Sequence, residues 1–283
     1  MASWEETLAQ FTEAVAGREP DINLARAAFL IAYLEYPELD LDQQFGILDS
    51  LAAGALHRLG SRHHYLRDPL FCLNTLSEYL FDEVGFQGDE DNYYDPRNSF
   101  LNDVLSRRRG IPISLSLLCI EVGKRLGIPV IGIGMPGHFL VRHREQDDLF
   151  LDPFYKGILL SEEECAQRLK ALVETGFAWD PSLLDPVGNR EILSRVLRNL
   201  KGIYRQGEDH PRLLKVEELL VALRPDEPRE RRDRGMVHLA LNHWRQARED
   251  LQFFLDAAMP GEDRAAITHL MAEISRLQDL DQD

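Results

Sequence analysis

His138 in "MPGHFLV" and Asp152 in "LDPF" are the residues of this chain best suited to joint chemistry. An apolar helix precedes them, and the order helix, histidine, aspartate is the order of a cysteine-type catalytic triad. In such a triad the carboxylate fixes the imidazole tautomer and the imidazole takes a proton from the nucleophile. Two other readings stand beside this one. The pair could be a structural hydrogen bond, or "DPF" could simply end a strand with Asp152 opening a turn. His143 falls on the opposite strand parity from His138, which argues against a joint metal site.

These side chains need a helix behind them and strands beneath them. Residues 113–126 have helical spacing, with Leu115, Cys119, Val122 and Leu126 on one side and Ile113, Leu117 and Ile120 on another. Glu121, Lys124 and Arg125 occur only in the last two turns, so the first half should be buried. Ser116 and Gly123 form a small-residue stripe on which another element can pack closely. After Leu126 the period changes to that of strands, in "PVIGIGM", "HFLVRHR" and "LFLDPF", with "EQDD" as the turn between the last two. The middle of the chain therefore reads as a helix followed by an antiparallel meander, an α+β unit.

The flanks are helical. Before the central helix, helices are expected over 4–16, over "INLARAAFLIAYLEYP", over "LDLDQQFGILDSLAAGALHRL" and over "PLFCLNTLSEYLFDEVGF". A polar acidic loop, "QGDEDNYYDPRN", comes next. Asn98 or Ser99 is placed to cap the helix "FLNDVLSRR", and Gly110 to end it or to permit the following turn. Loop residues Tyr93 and Tyr94 suit either a cleft rim or a packed turn.

Beyond about residue 188 the chain repeats itself. Val216, Leu219 and Leu220 correspond to Leu251, Phe254 and Leu255 at an offset of about 35 residues, close to the roughly 34-residue tetratricopeptide period. Trp244 and Ala247 are expected as packing positions, and a final helix over 262–278 as a cap. The expected divisions are an N-terminal helical region over 1–90, a core over 91–185 and helical repeats over 186–283.

Bulk composition narrows the functions. Among 283 residues, 48 Asp and Glu outnumber 32 Lys and Arg, for a net charge of −16. Phosphate binding needs clustered cations, so no nucleic-acid partner is expected, and no anionic membrane. No apolar run is long enough to span a bilayer. Three widely spaced cysteines, with no paired spacing, argue against a zinc ribbon or a disulfide framework. The acidic N-terminus is unlike a signal peptide. A cytoplasmic protein without metal or other cofactor is the expectation.

The segment Gly110–Phe154 resembles the transglutaminase-like, or papain-like, cysteine hydrolase core. "LGIP", Leu126 to Pro129, matches the step that ends that core's helix; His138 fits its catalytic histidine and Asp152 its aspartate. Counting back along the helix, the resemblance implies that the nucleophilic cysteine position is Pro112. Proline suits the first turn of a helix but carries no nucleophile. Cys119 lies roughly 10 Å further along the axis, on an apolar side where a thiol stays protonated. Ser114 is nearer, in the first turn, where free backbone N–H groups could serve an oxyanion. It would need His138 within about 3 Å; otherwise it caps the helix or bonds backbone. Asn98, Asn102 and Arg108 are the further cleft candidates, the last two for ordering the turn before Pro112.

A narrower resemblance rests on "NYYDPRNSFLNDVLSRRRGIPISLSLL", "MPGHFLV", "LDPF", "LRNLKGIY" and "RDRG", and runs from about residue 22 to the C-terminus. These phrases resemble the bacterial SirB-type family, which joins a divergent transglutaminase-like domain to tetratricopeptide repeats; a related domain occurs in a eukaryotic F-box protein. The missing nucleophile at Pro112, the acidic charge and the helical repeats together point to a non-catalytic pseudoenzyme or regulatory protein-interaction module. Its repeats would bind a protein or peptide partner. The alternative is a hydrolase or amidase with an altered nucleophile, Ser114 or an activated water, using His138 and Asp152.

Overall fold

The computed structural model describes residues 3–60, 62, 66–172, 179–257 and 261–280. The chain divides within one helix into two compact units, Met1–Asn199 and Leu200–Asp283.

The first unit opens with α1 (Trp4–Val15), α2 (Leu24–Ala32), α3 (Leu41–Leu59) and α4 (Pro69–Ser77). Polar residues start them: Ser3, Asn23, Asp40 and Asp68 each accept a backbone N–H of the first turn. α2 is apolar nearly all round and is buried from Leu24 to Ala32 except at Arg26. The fourth helix departs from expectation at Glu78, where six residues, Glu78–Glu83, continue as a π-helical turn. Leu80 and Phe81 are buried there, whereas Val84 is only partly covered.

Two short parallel strands, β1 (Gln87–Gly88) and β2 (Arg109–Gly110), flank α5 (Leu101–Arg107). The expected cap is not formed. The helix begins at Leu101, so Phe100 occupies the N-cap position without a side-chain bond, and neither Asn98 nor Ser99 stands at the cap. Arg108, not Gly110, takes the left-handed conformation that ends the helix, with φ 56°.

α6 (Pro112–Leu126) is the central helix, buried at every position from Pro112 to Gly123 except Ile120. Burial runs further than its charges suggested, because Glu121 has partners inside: its carboxylate meets Arg125 at 2.7 Å and accepts the Ala25 N–H at 3.2 Å. The small-residue stripe does bring another element close. A Cβ on Gly123 would lie 2.6 Å from the Val130 side chain.

β3 (Val130–Ile133), β4 (Leu140–His143), β5 (Leu149–Asp152), β6 (Ile158–Ser161) and β7 (Pro186–Val187) form one antiparallel sheet in the order β6-β5-β4-β3-β7. The meander was legible; β6 and β7 extend it. Alternation gives the sheet two faces. α6 packs against β3 and β4. On the other face Ile133, Leu140, Phe150 and Leu160 form a core with Cys165 and Leu169 of α7 (Glu162–Leu172). α8 (Asn189–Gln206) closes this unit with its first part.

The second unit holds the end of α8, then α9 (His210–Leu223), α10 (Pro228–Ala240), α11 (Trp244–Ala257) and α12 (Glu262–Leu280). All six repeat-matched positions are buried. Ala247 is buried as expected, but Trp244, the first residue of α11, is 41% exposed although it shares the helix face of Ala247, Leu251 and Leu255. Inside, the Lys201 ammonium meets Asp233 at 2.7 Å, Glu217 at 3.0 Å and Glu230 at 3.6 Å.

Candidate functional site

Sheet register brings the histidine and aspartate together. Val141 pairs with Leu151, so Leu140 stands opposite Asp152, and His138, two residues earlier, emerges on the same face. Nε2 of His138 lies 3.0 and 2.9 Å from the two carboxylate oxygens of Asp152. A carboxylate only accepts, so in this contact it is the Nε2–H of His138 that donates to Asp152.

Asp152 is wholly buried behind the imidazole. Its Oδ1 accepts the N–H groups of Phe154 and Tyr155 at 3.2 and 3.4 Å, and its Oδ2 accepts from Arg168 of α7 at 2.9 Å. A buried carboxylate needs this many donors to offset its lost hydration. The backbone carrying His138 is held from α8. Arg195 donates to the carbonyls of Gly134, Met135 and His138 at 2.7, 3.0 and 3.3 Å.

His138 lines two cavities. One, of about 770 Å³, has walls of Tyr93, Tyr94, Phe154 and Tyr155, with Glu90 and Arg168 also present. The other, of about 360 Å³, runs toward Glu191, Arg195 and Arg198. Tyr93, Pro112, Gly137 and His138 belong to both, so the two are lobes of one cleft that meet at Pro112 and His138. The aromatic wall depends on a close approach: Gly88 donates its N–H to the Phe154 carbonyl, and a Cβ there would sit 2.6 Å from the Phe154 ring.

Ser114 is not part of this cleft. It is 1% exposed and lines neither lobe. Its Oγ accepts the Ile111 N–H at 3.0 Å, and the hydroxyl faces the Asn98 carbonyl at 2.6 Å and the Ile111 carbonyl at 3.1 Å. It therefore fills the capping, backbone-bonding place that was its alternative reading. Cys119 is fully buried, and burial pushes its thiol far above the ordinary range. Among the described residues lining the two lobes, none is cysteine, serine or threonine.

The other cleft candidates stand behind the rim, and none lines either lobe. Asn98 is buried and donates to the Asn92 carbonyl at 2.8 Å. Arg108 reaches the Val84 carbonyl at 2.7 Å, and Asn102 sits on α5. The residue that orders the acidic loop is Arg107, bonded to Asn98 at 3.1 Å and to buried Asp89 at 3.3 Å. Tyr155, Arg168 and Arg195 were also missed. Tyr155 directly follows "LDPF", so adjacency was a usable signal. Arg168 and Arg195 act from helices distant in sequence, and no local pattern aims them.

A family model described as the transglutaminase-like superfamily matches residues 45–198, more than half of the chain. The chain belongs to the transglutaminase-like superfamily. A second model, described as a tetratricopeptide repeat, matches residues 200–272. A "UPF0162 protein" of Xylella fastidiosa is 39% identical over 236 residues, covering 82% of this chain and 83% of the relative. One of Vibrio cholerae is 34% identical over 192 residues, 67% of this chain and 71% of the relative. These bacterial relatives fit the SirB-type resemblance. "F-box only protein 21" of Homo sapiens is 31% identical over 167 residues, 55% of this chain and 26% of that protein. Transglutaminase-like and tetratricopeptide parts therefore occur together here, and no helix among the described residues is long and apolar enough to cross a membrane.

Proposed function

We propose that this chain is a protein-interaction module in which a transglutaminase-like shell recognises a peptide or small ligand without cleaving it. The observation that carries this reading is Pro112. It lines both lobes beside His138, in the place the superfamily resemblance gives to the nucleophile, and no cysteine, serine or threonine lines the cleft among the described residues. The His138–Asp152 pair then serves as a rigid polar wall and a hydrogen-bonding partner for the ligand.

The repeats of the second unit would hold a protein partner. Stacked helical repeats present extended binding surfaces, and Met236, Trp244 and Phe253 leave 43%, 41% and 37% of their surface exposed there. Large exposed apolar side chains, tryptophan above all, are characteristic binding anchors. Three free, buried cysteines support a reducing, cytosolic setting.

A water-activating hydrolase is the second reading, favoured by one feature: with Nε2 bound to Asp152, Nδ1 remains available as a general base. The experiment is acyl trapping. Incubation of the full chain with activated esters and a fluorophosphonate, followed by intact-mass analysis, should show no adduct. Turnover of an ester that disappears in His138→Ala, or an adduct that disappears in Ser114→Ala, would establish the hydrolase instead.

A further inference from the structure

We infer that the larger lobe of the cleft binds an arginine side chain of a partner protein, its guanidinium stacked on the Tyr94 ring and paired with Glu90. This rests on the reading that the cleft binds rather than cleaves.

Rings run along the wall of this lobe. Centroids are 5.2 Å apart for Tyr94 and Tyr93, 5.9 Å for Tyr93 and Phe154, and 5.2 Å for Phe154 and Tyr155. Tyr93 and Phe154 are packed between neighbours, whereas Tyr94 is 72% exposed. Glu90 stands four residues before Tyr94 on the same loop, is exposed, and lines the same lobe. The loop is held from behind. Buried Asp89 accepts the Asn92 N–H at 3.3 Å, and Asn98 donates to the Asn92 carbonyl at 2.8 Å. An open ring and a carboxylate are thus set on one anchored platform.

The charges of the lobe favour a cation. Two carboxylates, Glu90 at the mouth and Asp152 behind His138, stand against one guanidinium, Arg168. Asp152 meets Arg168 at 2.9 Å and matches its charge. That leaves the charge of Glu90 for a ligand, since no ion pair joins Glu90 to another described residue. The net charge of −16 draws cations at longer range.

The lining selects the kind of cation. Tyrosine, phenylalanine, proline and methionine offer few lone pairs, and among the described residues no three acidic, histidine or cysteine side chains group as metal ligands. A metal ion or a strongly hydrated ammonium would lose more water than this lobe replaces. A guanidinium is weakly hydrated, lies flat on an aromatic ring and gives a fork of N–H donors to one carboxylate. A trimethylated ammonium shares the weak hydration but has no N–H for Glu90. The lobe already contains one contact of the inferred kind: the Arg168 guanidinium lies 4.8 Å from the Tyr155 centroid, with its charge tied to Asp152. Glu90 and Tyr94 supply the acid and the ring of a second, and the partner supplies the base.

The test titrates the full chain with a blocked five-residue peptide carrying one arginine between glycines, following tyrosine side-chain NMR signals. Matched peptides carry citrulline, lysine or trimethyllysine instead. Expected are saturable shifts with the arginine peptide and at least tenfold weaker binding of the citrulline peptide, which has nearly the same shape without the charge. Glu90→Gln and Tyr94→Ala should each weaken arginine binding at least fivefold, and Tyr94→Phe should retain it. Thermal melts matching wild type establish that the variants fold, and the peptide comparison on wild type stands without them. No saturable arginine-peptide binding, equal or tighter binding of any matched peptide, or undiminished affinity in Glu90→Gln or Tyr94→Ala would overturn the inference. Absence of arginine-peptide binding together with absence of any acyl adduct rejects this assignment alone; an acyl adduct rejects the binding-module reading on which it rests.

Discussion

Arg168 and His138 converge on one oxygen of Asp152: Nη1 and Nε2 each stand 2.9 Å from Oδ2. In a working triad the carboxylate's charge is available to the imidazolium that forms when the nucleophile is deprotonated. Here a guanidinium draws on the same charge. The arrangement fixes the imidazole in place, which supports the binding role proposed above.

Removing the shared carboxylate should therefore be costly. Asp152→Ala leaves His138, Arg168 and the amides of Phe154 and Tyr155 without their acceptor, and an expected loss of about 3–5 kcal/mol follows from stranding buried charge. Arg168→Ala, at a side chain one-third exposed, should cost about 1–3 kcal/mol. Urea unfolding of the two variants checks the order; equal small losses would mean the network contributes little to stability.

Pro112→Cys should return reactivity to the cleft. The native thiols form a quiet background: burial pushes Cys72 up to about 11, Cys165 to about 12 and Cys119 further still. Iodoacetamide at neutral pH should then label the variant once, at position 112, and more slowly when His138→Ala is added. Loss of the proline's backbone restriction should cost about 0.4–1 kcal/mol. Labelling at the same rate with and without His138 would show that imidazole and introduced thiol do not communicate.

In the second unit, Glu217 predicts a pH dependence. Burial raises its carboxyl to about 7 despite the nearby Lys201 ammonium, against an ordinary value of 4.5. The folded state thus binds this proton more tightly than the unfolded chain does. Its contribution to stability is full below about pH 4.5 and declines as pH rises toward 7, by roughly 3 kcal/mol at most. Asp233 is shifted downward, with Lys201 holding it there against burial, and contributes the opposite slope at lower pH. Glu217→Gln should flatten the decline, so that wild type and variant differ between pH 5 and 8 in how far their urea midpoints move. Parallel midpoints across that range would reject the assignment.

Periodicity made much of this architecture legible. The α6 stripe, the change to period two after Leu126 and the matched pairs Val216–Leu251 and Leu220–Leu255 all reflect burial, which sequence records directly. The His138–Asp152 contact was legible as well, through chain order and a family pattern. What sequence did not record was aim. Asn98 was read as a cap, but its amide serves the Asn92 carbonyl and Arg107. Trp244 was read as core, but it begins α11, and there it is 41% exposed despite sharing the face of Ala247 and Leu251. Arg168 and Arg195 reach the site from α7 and α8, and only the assembled fold determines where long side chains end.

The bond between Glu121 and the Ala25 N–H links residues 96 positions apart. Through it, the opening turn of α2 is completed by a side chain that the ribosome supplies much later. A nascent chain holding only the early helices would carry a frayed end until α6 arrives. Trimming those helices away would, in turn, leave an acid in the protein's interior facing a missing neighbour. The early helices and the cleft-bearing core should therefore be expressed, and inherited, as one piece.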